Sequence, residues 1–357
     1  MNLSDKIELF FLAFLGRTGI IDIRNLILEG KLKLSPSMAY EFSVDAMGTI
    51  HTNLTKRVVD ILPPNSWKKI HYEGGRDSGK EFVSVLKGHG LIDKIDTVDN
   101  NIDKAIPLLM KTIKKDYKEI KLTSKESIYH VTKCPFLNGI LKYNIPQVCM
   151  SCEGLFQGVA DDTNKGSSVT IPKKMSKGDK YCEFIVKKKR ASRNELTSEL
   201  KLELPLDTSH EFAVREISRL LIKSGKRIKK VTTPKTYSAM LFWGARDAGR
   251  EVGEMIKRFG VKTGGTAAVE AGTVFFSQSA KVKSVRVKMT EEENIGHVFF
   301  CPWSSIGIKD NVPEVCMACE GFCQGIADIM AEDCKVDIPK TIIRGNEYCK
   351  FVYRKIK

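Results

Sequence analysis

No stretch of this 357-residue chain approaches the ~20 consecutive apolar residues of a membrane-spanning helix. Nothing near the amino terminus resembles a secretory leader either. The apolar run Phe10–Leu15 is short, follows Glu8 and is soon interrupted by Arg17. A cytoplasmic location is therefore expected, in a reducing compartment where grouped cysteines are metal ligands or redox switches more often than structural disulfides. Arg-rich patches interleaved with aromatics are also missing. The net charge of +15, from 58 basic and 43 acidic residues, then reads as a lysine-rich solvated surface. Attraction to nucleic acid or another polyanion is the alternative that no motif supports. Disorder is excluded as well, because 42% hydrophobic and 28% charged residues let both halves bury a core.

What the chain does have is a duplicated set of cysteines. Cys134, Cys149, Cys152 and Cys182 read C-x14-C-x2-C-x29-C, and Cys301, Cys316, Cys319 and Cys349 repeat that spacing 167 residues later. His130–Arg190 aligns on His297–Lys357 without a gap, and 26 of 61 positions are identical. Unrelated sequences of ordinary composition would agree at about one position in twenty. The chain is a tandem duplication, with one set of thiols in each half.

Each half begins with a helix. Pro63-Pro64 opens one that runs to about Gly88; Thr232-Thr233-Pro234 supplies cap residues and a first-turn proline for the other, which ends near Gly260. Both carry one core, Gly75-Arg76-Asp77-Ser78-Gly79 and Ala245-Arg246-Asp247-Ala248-Gly249. Glycines within a helix cost about 1 kcal/mol each, so close approach of a second helix or a ligand is implied. Second helices are expected at Ile102–Tyr117 and Thr266–Phe276, and strands at Ile120–Leu122 and Ile128–Cys134 with partners Val285–Val287 and His297–Cys301. Proline-initiated helices follow at Pro146–Asp161 and Pro313–Asp328. Closing strand pairs follow at Val169–Pro172 with Tyr181–Val186 and at Val336–Pro339 with Tyr348–Tyr353. The fold class is α+β, two tandem domains with helices packed on an antiparallel sheet. The expected organisation is a helical extension over residues 1–60, containing helices at Ile7–Leu15 and Ile20–Leu28, then domains over 61–190 and 205–357. A polar link near Arg190–Pro205 joins the two domains.

Cys149 and Cys152 lie about one turn apart on one helix face, Cys134 ends a strand and Cys182 lies within the last one. Four thiols from three elements can converge, as a closed tetrahedral site needs. Thiolates prefer soft or borderline ions, so zinc is the expected metal and an iron–sulfur cluster the alternative. Thiol–disulfide switching and plain burial are the competing readings. His130 and His297 recur four residues before the first cysteine of each set. Strand geometry puts that spacing about 13 Å along one face, so a role beside the site or in a ligand pocket is expected before direct ligation. Arg76 and Arg246 are candidate ligand-binding residues, with a surface salt bridge as the plain alternative. Glu153 and Glu320 could supply oxygen ligands, and Cys323 replaces Phe156 to give the second set an extra thiol. Gln157 with Asp161, and Gln324 with Asp328, form either a polar cluster at a pocket or a solvated helix edge.

The Gly/Ala-Arg-Asp-x-Gly helix, the helix carrying Cys-x-x-Cys and the terminal Gly-Asp/Asn-x-Tyr-Cys-x-Phe strand together resemble the 4-vinyl reductase domain family, over roughly Leu62–Lys189 and Thr232–Lys357. The resemblance implies a fold shared with vesicle-tethering TRAPP subunits, a cysteine-rich metal site and a cavity for a small hydrophobic or cyclic ligand. It also implies pairing of such domains, here as a pseudo-dimer within one chain. By motif, the metal role falls on Cys149, Cys152 and Cys182 with Cys316, Cys319 and Cys349, and then on Cys134 and Cys301. No helix-turn-helix or ATPase module accompanies them. The closing Ile-Pro-Lys-x4-Gly-x2-Tyr-Cys-x-Phe pattern is also similar to the aminothiazoline-carboxylate hydrolase-like family, which would make the thiols part of an enzyme. The expected function is a metal-containing sensor or carrier of a small molecule rather than a catalyst. The alternatives are a thiol- or metal-dependent hydrolase or reductase, and a redox-sensing interaction module.

Overall fold

The computed structural model describes residues 22–32, 34–92, 101–189 and 204–356, with Ala13 and Thr18. The helix expected at Ile7–Leu15 lies outside them but for Ala13. No described helix is long and apolar enough to cross a membrane. The architecture is mixed α+β with two separate four-stranded antiparallel sheets, each packed with helices.

In chain order the elements begin with α1 (Ile23–Leu28) and α2 (Pro36–Ile61). The first repeat follows: α3 (Pro64–Trp67), a π-helical turn (Lys68–Tyr72), α4 (Glu73–Gly88), α5 (Asn101–Thr112), β1 (Tyr117–Leu122), β2 (Glu126–Val131), α6 (Leu137–Tyr143), α7 (Val148–Thr163), β3 (Ser168–Thr170) and β4 (Cys182–Lys187). Next comes α8 (Leu206–Lys229). The second repeat then runs through α9 (Pro234–Arg258), α10 (Gly265–Ser279), β5 (Lys283–Met289), β6 (Glu293–Phe300), α11 (Pro302–Asp310), α12 (Val315–Met330), β7 (Cys334–Lys340) and β8 (Cys349–Lys355). The sheets have the orders β1-β2-β4-β3 and β5-β6-β8-β7.

Local chemistry sets these boundaries. Thr233 caps α9 by accepting the Thr236 backbone N–H at 3.2 Å, with Pro234 in the first turn, and Gly260 closes the helix at φ +85°. The first repeat's second helix is shorter than expected. It stops at Thr112 because Lys114 turns left-handed at φ +56°, and Tyr117 already belongs to β1. Lys281 does the same at φ +57° before β5. The short helices α6 and α11, which follow the Cys-Pro pairs, were not expected from the pattern. Each ends on a left-handed asparagine, Asn144 or Asn311.

The chain divides into two compact units: residues 58–231, and residues 1–57 with 232–357. The first repeat is therefore completed by α8, and the second by α2. Within the first unit, Ser78 of α4 donates to buried Glu216 of α8 at 2.7 Å, and Arg227 reaches Asp77 at 2.7 Å. Within the second, Arg57 pairs with Asp247, and Asn53 donates to Glu251 at 2.9 Å. The two helices are themselves a repeat, offset by 170: Glu41-Phe42-x-Val44 matches Glu211-Phe212-x-Val214, and Lys56-Arg57 matches Lys226-Arg227. Each repeat thus takes its covering helix from ahead of the other one.

The glycines of the duplicated motifs weld helix to helix. A Cβ at Gly79 of α4 would stand 2.0 Å from the Leu155 carbonyl oxygen of α7, and one at Gly158 would stand 2.1 Å from the Arg76 oxygen. Gly249 and Gly325 do the same between α9 and α12. The other side of α7 meets the sheet through Phe156 on Phe184, ring centroids 4.8 Å apart.

Candidate functional site

The cysteines gather at one end of each sheet. In the first unit Cys182 opens β4 and is paired across the ladder with Val131, the last residue of β2; Cys134 lies three residues beyond. Cys149 and Cys152 stand in the first turns of α7. The charges of these sulfurs act on one another and on Lys115, which is 4% exposed and donates to Cys134 Sγ at 3.1 Å. Burial works to strip Lys115 of its proton. Cys134, Cys152 and Cys182 outweigh it and hold the ammonium above the ordinary lysine range. Cys182 Sγ accepts the Met175 backbone N–H at 3.3 Å, and Cys149 Sγ lies 3.2 Å from Ser176 Oγ. Burial pushes the Cys152 thiol up to about 12 and raises Cys149 and Cys182 in the same direction.

The second unit builds the same cluster with different walls. Cys301 caps the start of α11, Cys316 and Cys319 occupy the first turns of α12, and Cys349 opens β8 opposite Val298. The Ile342 N–H donates to Cys349 Sγ at 3.2 Å, as Met175 does in the first unit. Cys301 is held below the usual thiol range, chiefly by the Cys319 hydrogen bond, with help from the Trp303 and Ser304 N–H groups and against its burial. Its partner Cys319 is pushed well above that range by the same bond and by burial. Cys316 is driven up to about 12 by burial, against a hydrogen bond with Thr341. Cys323 is buried beside Cys319 and likewise pushed up to about 12 by its burial.

The donor set therefore has the chemistry of a soft-metal site: four sulfurs from a strand end, a helix and a second strand, with N–H groups aimed at them. The spacing between the side chains is looser than a ligand shell. Among the described residues, no group of three or more His, Cys, Asp or Glu side chains is arranged to hold an ion.

The histidines stand elsewhere. His130 is cross-strand partner to Glu183, and neighbouring strand residues alternate faces. Cys182 and Phe184 point to the α7 side, so His130 and Glu183 point away from it. His130 Nε2 lies 3.1 Å from Glu183 Oε1, and its ring stacks on Tyr181 at 3.8 Å. His297 repeats the stack on Tyr348 at 3.9 Å, with Lys350 where the first unit has Glu183. Burial, Lys350 and Lys340 hold His297 below the usual histidine range.

The arginines are not brought to the histidines. Arg76 closes on Asp161 between α4 and α7, and Arg246 grips both carboxylate oxygens of Asp328 at 2.7 and 2.9 Å, joined by Arg250. Gln157 completes a clasp from helix to sheet, accepting the Val169 N–H at 2.8 Å and donating to the Ser167 carbonyl and to Asp161. Gln324 does likewise with Val336, Cys334 and Asp328. Glu153 pairs with Lys174 at 3.0 Å. Sequence reasoning missed Lys115. Its only signal was a position, directly after the left-handed Lys114, inside a lysine-rich stretch that looks like solvated surface.

No curated protein matches the chain. The family described as methanogen output domain 1, which is related to 4-vinyl reductase-like domains, matches residues 32–187, from just before α2 to the end of β4.

Proposed function

We propose that this chain is a sensor or carrier protein that holds a soft or borderline metal ion in each thiol cluster, zinc before an iron–sulfur cluster, and binds a small hydrophobic or cyclic ligand. The observation that carries the metal reading is the duplicated convergence of four thiols, each cluster with a backbone N–H directed at the strand cysteine. Buried thiols whose protons are held tightly are displaced to thiolates by a metal, which supplies the positive charge that burial otherwise denies them. In the first cluster Cys134, Cys149, Cys152 and Cys182 would hold the ion; in the second, Cys301, Cys316, Cys319 and Cys349. The ligand reading rests on the resemblance to 4-vinyl reductase domains. The "output domain" description of the matching family supports a place in signalling rather than in metabolism. The exchange of α2 and α8 supports reading the repeats as a pair within one chain.

Elemental analysis and visible absorption of anaerobically purified protein test this. Close to two zinc ions per chain and no colour are expected. A brown, iron-containing protein would replace zinc by a cluster, and the absence of any metal would overturn the reading. The Cys301–Cys319 hydrogen bond favours one second reading, a redox-sensing pair. Hydrogen peroxide would oxidise the two thiols to a disulfide, being itself reduced to water, and alkylation mapping before and after treatment would reveal the loss of both.

A further inference from the structure

The two clusters differ at one wall. The left-handed residues Lys114 (φ +56°) and Lys281 (φ +57°) fix the register of the repeats here, so Lys115 and Val282 occupy the same place. In the first unit that place puts a buried ammonium 3.1 Å from Cys134 Sγ. In the second it puts an isopropyl group against the apolar cluster around Val298, Ile338 and Cys349, beside Cys301 and Cys319. A second position differs without the same effect, since Thr341 gives Cys316 a hydroxyl in the second unit. Ser176, whose hydroxyl lies 3.2 Å from Cys149 Sγ, is replaced by Ile343. A third, Lys177 against Arg344, keeps its charge.

We propose that Lys115 is a built-in counter-charge that makes the first thiol cluster the tighter of two unequal metal sites, and the Val282-walled cluster the one that empties first. This rests on the metal reading above. A divalent ion with four thiolates carries a residual charge of about −2, which a low-dielectric surrounding opposes unless a cation or donors face it. In the first unit an ammonium in contact with one of the four sulfurs opposes about half of that charge. In the second, Val282 stands in the place of that ammonium, while Thr341 gives Cys316 a hydroxyl partner as Ser176 does Cys149. A single chain would then carry one retained ion and one exchangeable ion, so that metal availability is read at the second repeat while the first stays filled.

Two full-length chains separate the sites: Cys316→Ser/Cys319→Ser keeps only the first cluster intact, and Cys149→Ser/Cys152→Ser only the second. Each is titrated with cadmium, followed by the thiolate-to-metal charge-transfer band in the ultraviolet, and with zinc against a competing chelator. The first-cluster chain is expected to bind about tenfold or more tighter. Adding Lys115→Met to it should remove that advantage, whereas Lys115→Arg should keep most of it. Equal or reversed affinities of the two chains overturn the inference and leave the metal reading standing. So does a Lys115→Met chain that folds and binds as before. The comparison of the two single-cluster chains decides the matter if Lys115→Met fails to fold. Absence of binding in both overturns the metal reading itself, and the inference with it.

Discussion

His51, on α2, is 2% exposed, and burial lowers its pKa from 6.5 to about 4. Above pH 6.5 the imidazole is neutral in both the folded and unfolded chain. Between about pH 6.5 and 4 the unfolded chain takes up a proton that the folded one refuses, so stability falls with falling pH across that window. The loss approaches about 3 kcal/mol at its acid end. Urea unfolding at steps from pH 7.5 to 4.5 should show this decline in the second-repeat unit, and His51→Phe should flatten it. Gly79 makes a different kind of demand. A methyl there would meet the Leu155 carbonyl at 2.0 Å, and backbone gives way only by separating α4 from α7. Gly79→Ala should therefore cost about 3 kcal/mol or more, measured by thermal unfolding, with Lys80→Ala on the exposed side of α4 as a near-neutral control. The glycines were legible as a sign of close approach. That the approaching body is a helix and not a ligand follows from the fold, where α4 meets α7.

Among the elements, the legible ones are those whose ends carry chemistry. Thr233-Pro234 and Gly260 delimit α9, and the cysteine spacing by itself brings a strand end, a helix face and a second strand together. The pairing of α2 with α8 was hidden because their offset of 170 differs from the 167 of the thiol repeat and because few of their positions are identical. Their interfaces are also chemically unlike. Glu216, 1% exposed, accepts from Ser78 and pairs with Arg219, which also faces Glu81 at 3.5 Å; the second unit has Ala46 and Ala248 at the places of Glu216 and Ser78. Removing one member of a buried charged set leaves the others uncompensated. Glu216→Ala should destabilise the first-repeat unit by about 3 to 5 kcal/mol in denaturant titration. Asn53→Ala, which removes the hydrogen bonds from Asn53 to Thr49 and Glu251 in the second unit, should cost about 1 to 3 kcal/mol.

For the whole molecule, the proposed metal reading with two thiol clusters in separate units predicts that metal content falls in steps. Cys149→Ser is expected to remove about half of the bound metal and to lower the unfolding midpoint of the first-repeat unit alone, since a structural zinc site contributes on the order of 10 kcal/mol to the unit that holds it. Unchanged content in elemental analysis would argue against the cluster as the metal's place. The exchange of covering helices bears on how the chain is made. Arg57 must wait for Asp247, 190 positions later, and Asp77 for Arg227, 150 positions later. At about 5 to 20 residues per second on the ribosome, that is a delay of the order of ten seconds or more. Over its last 40 residues, from Lys187 to Arg227 and so for about 2 to 8 seconds, the glycine-welded helices and the sheet of the first repeat exist without α8. The nascent first repeat therefore emerges with the surface meant for α8 uncovered, and a chain stalled once Lys189 has left the ribosome should be cut readily by protease and bound by chaperones, becoming resistant once Lys229 has emerged too.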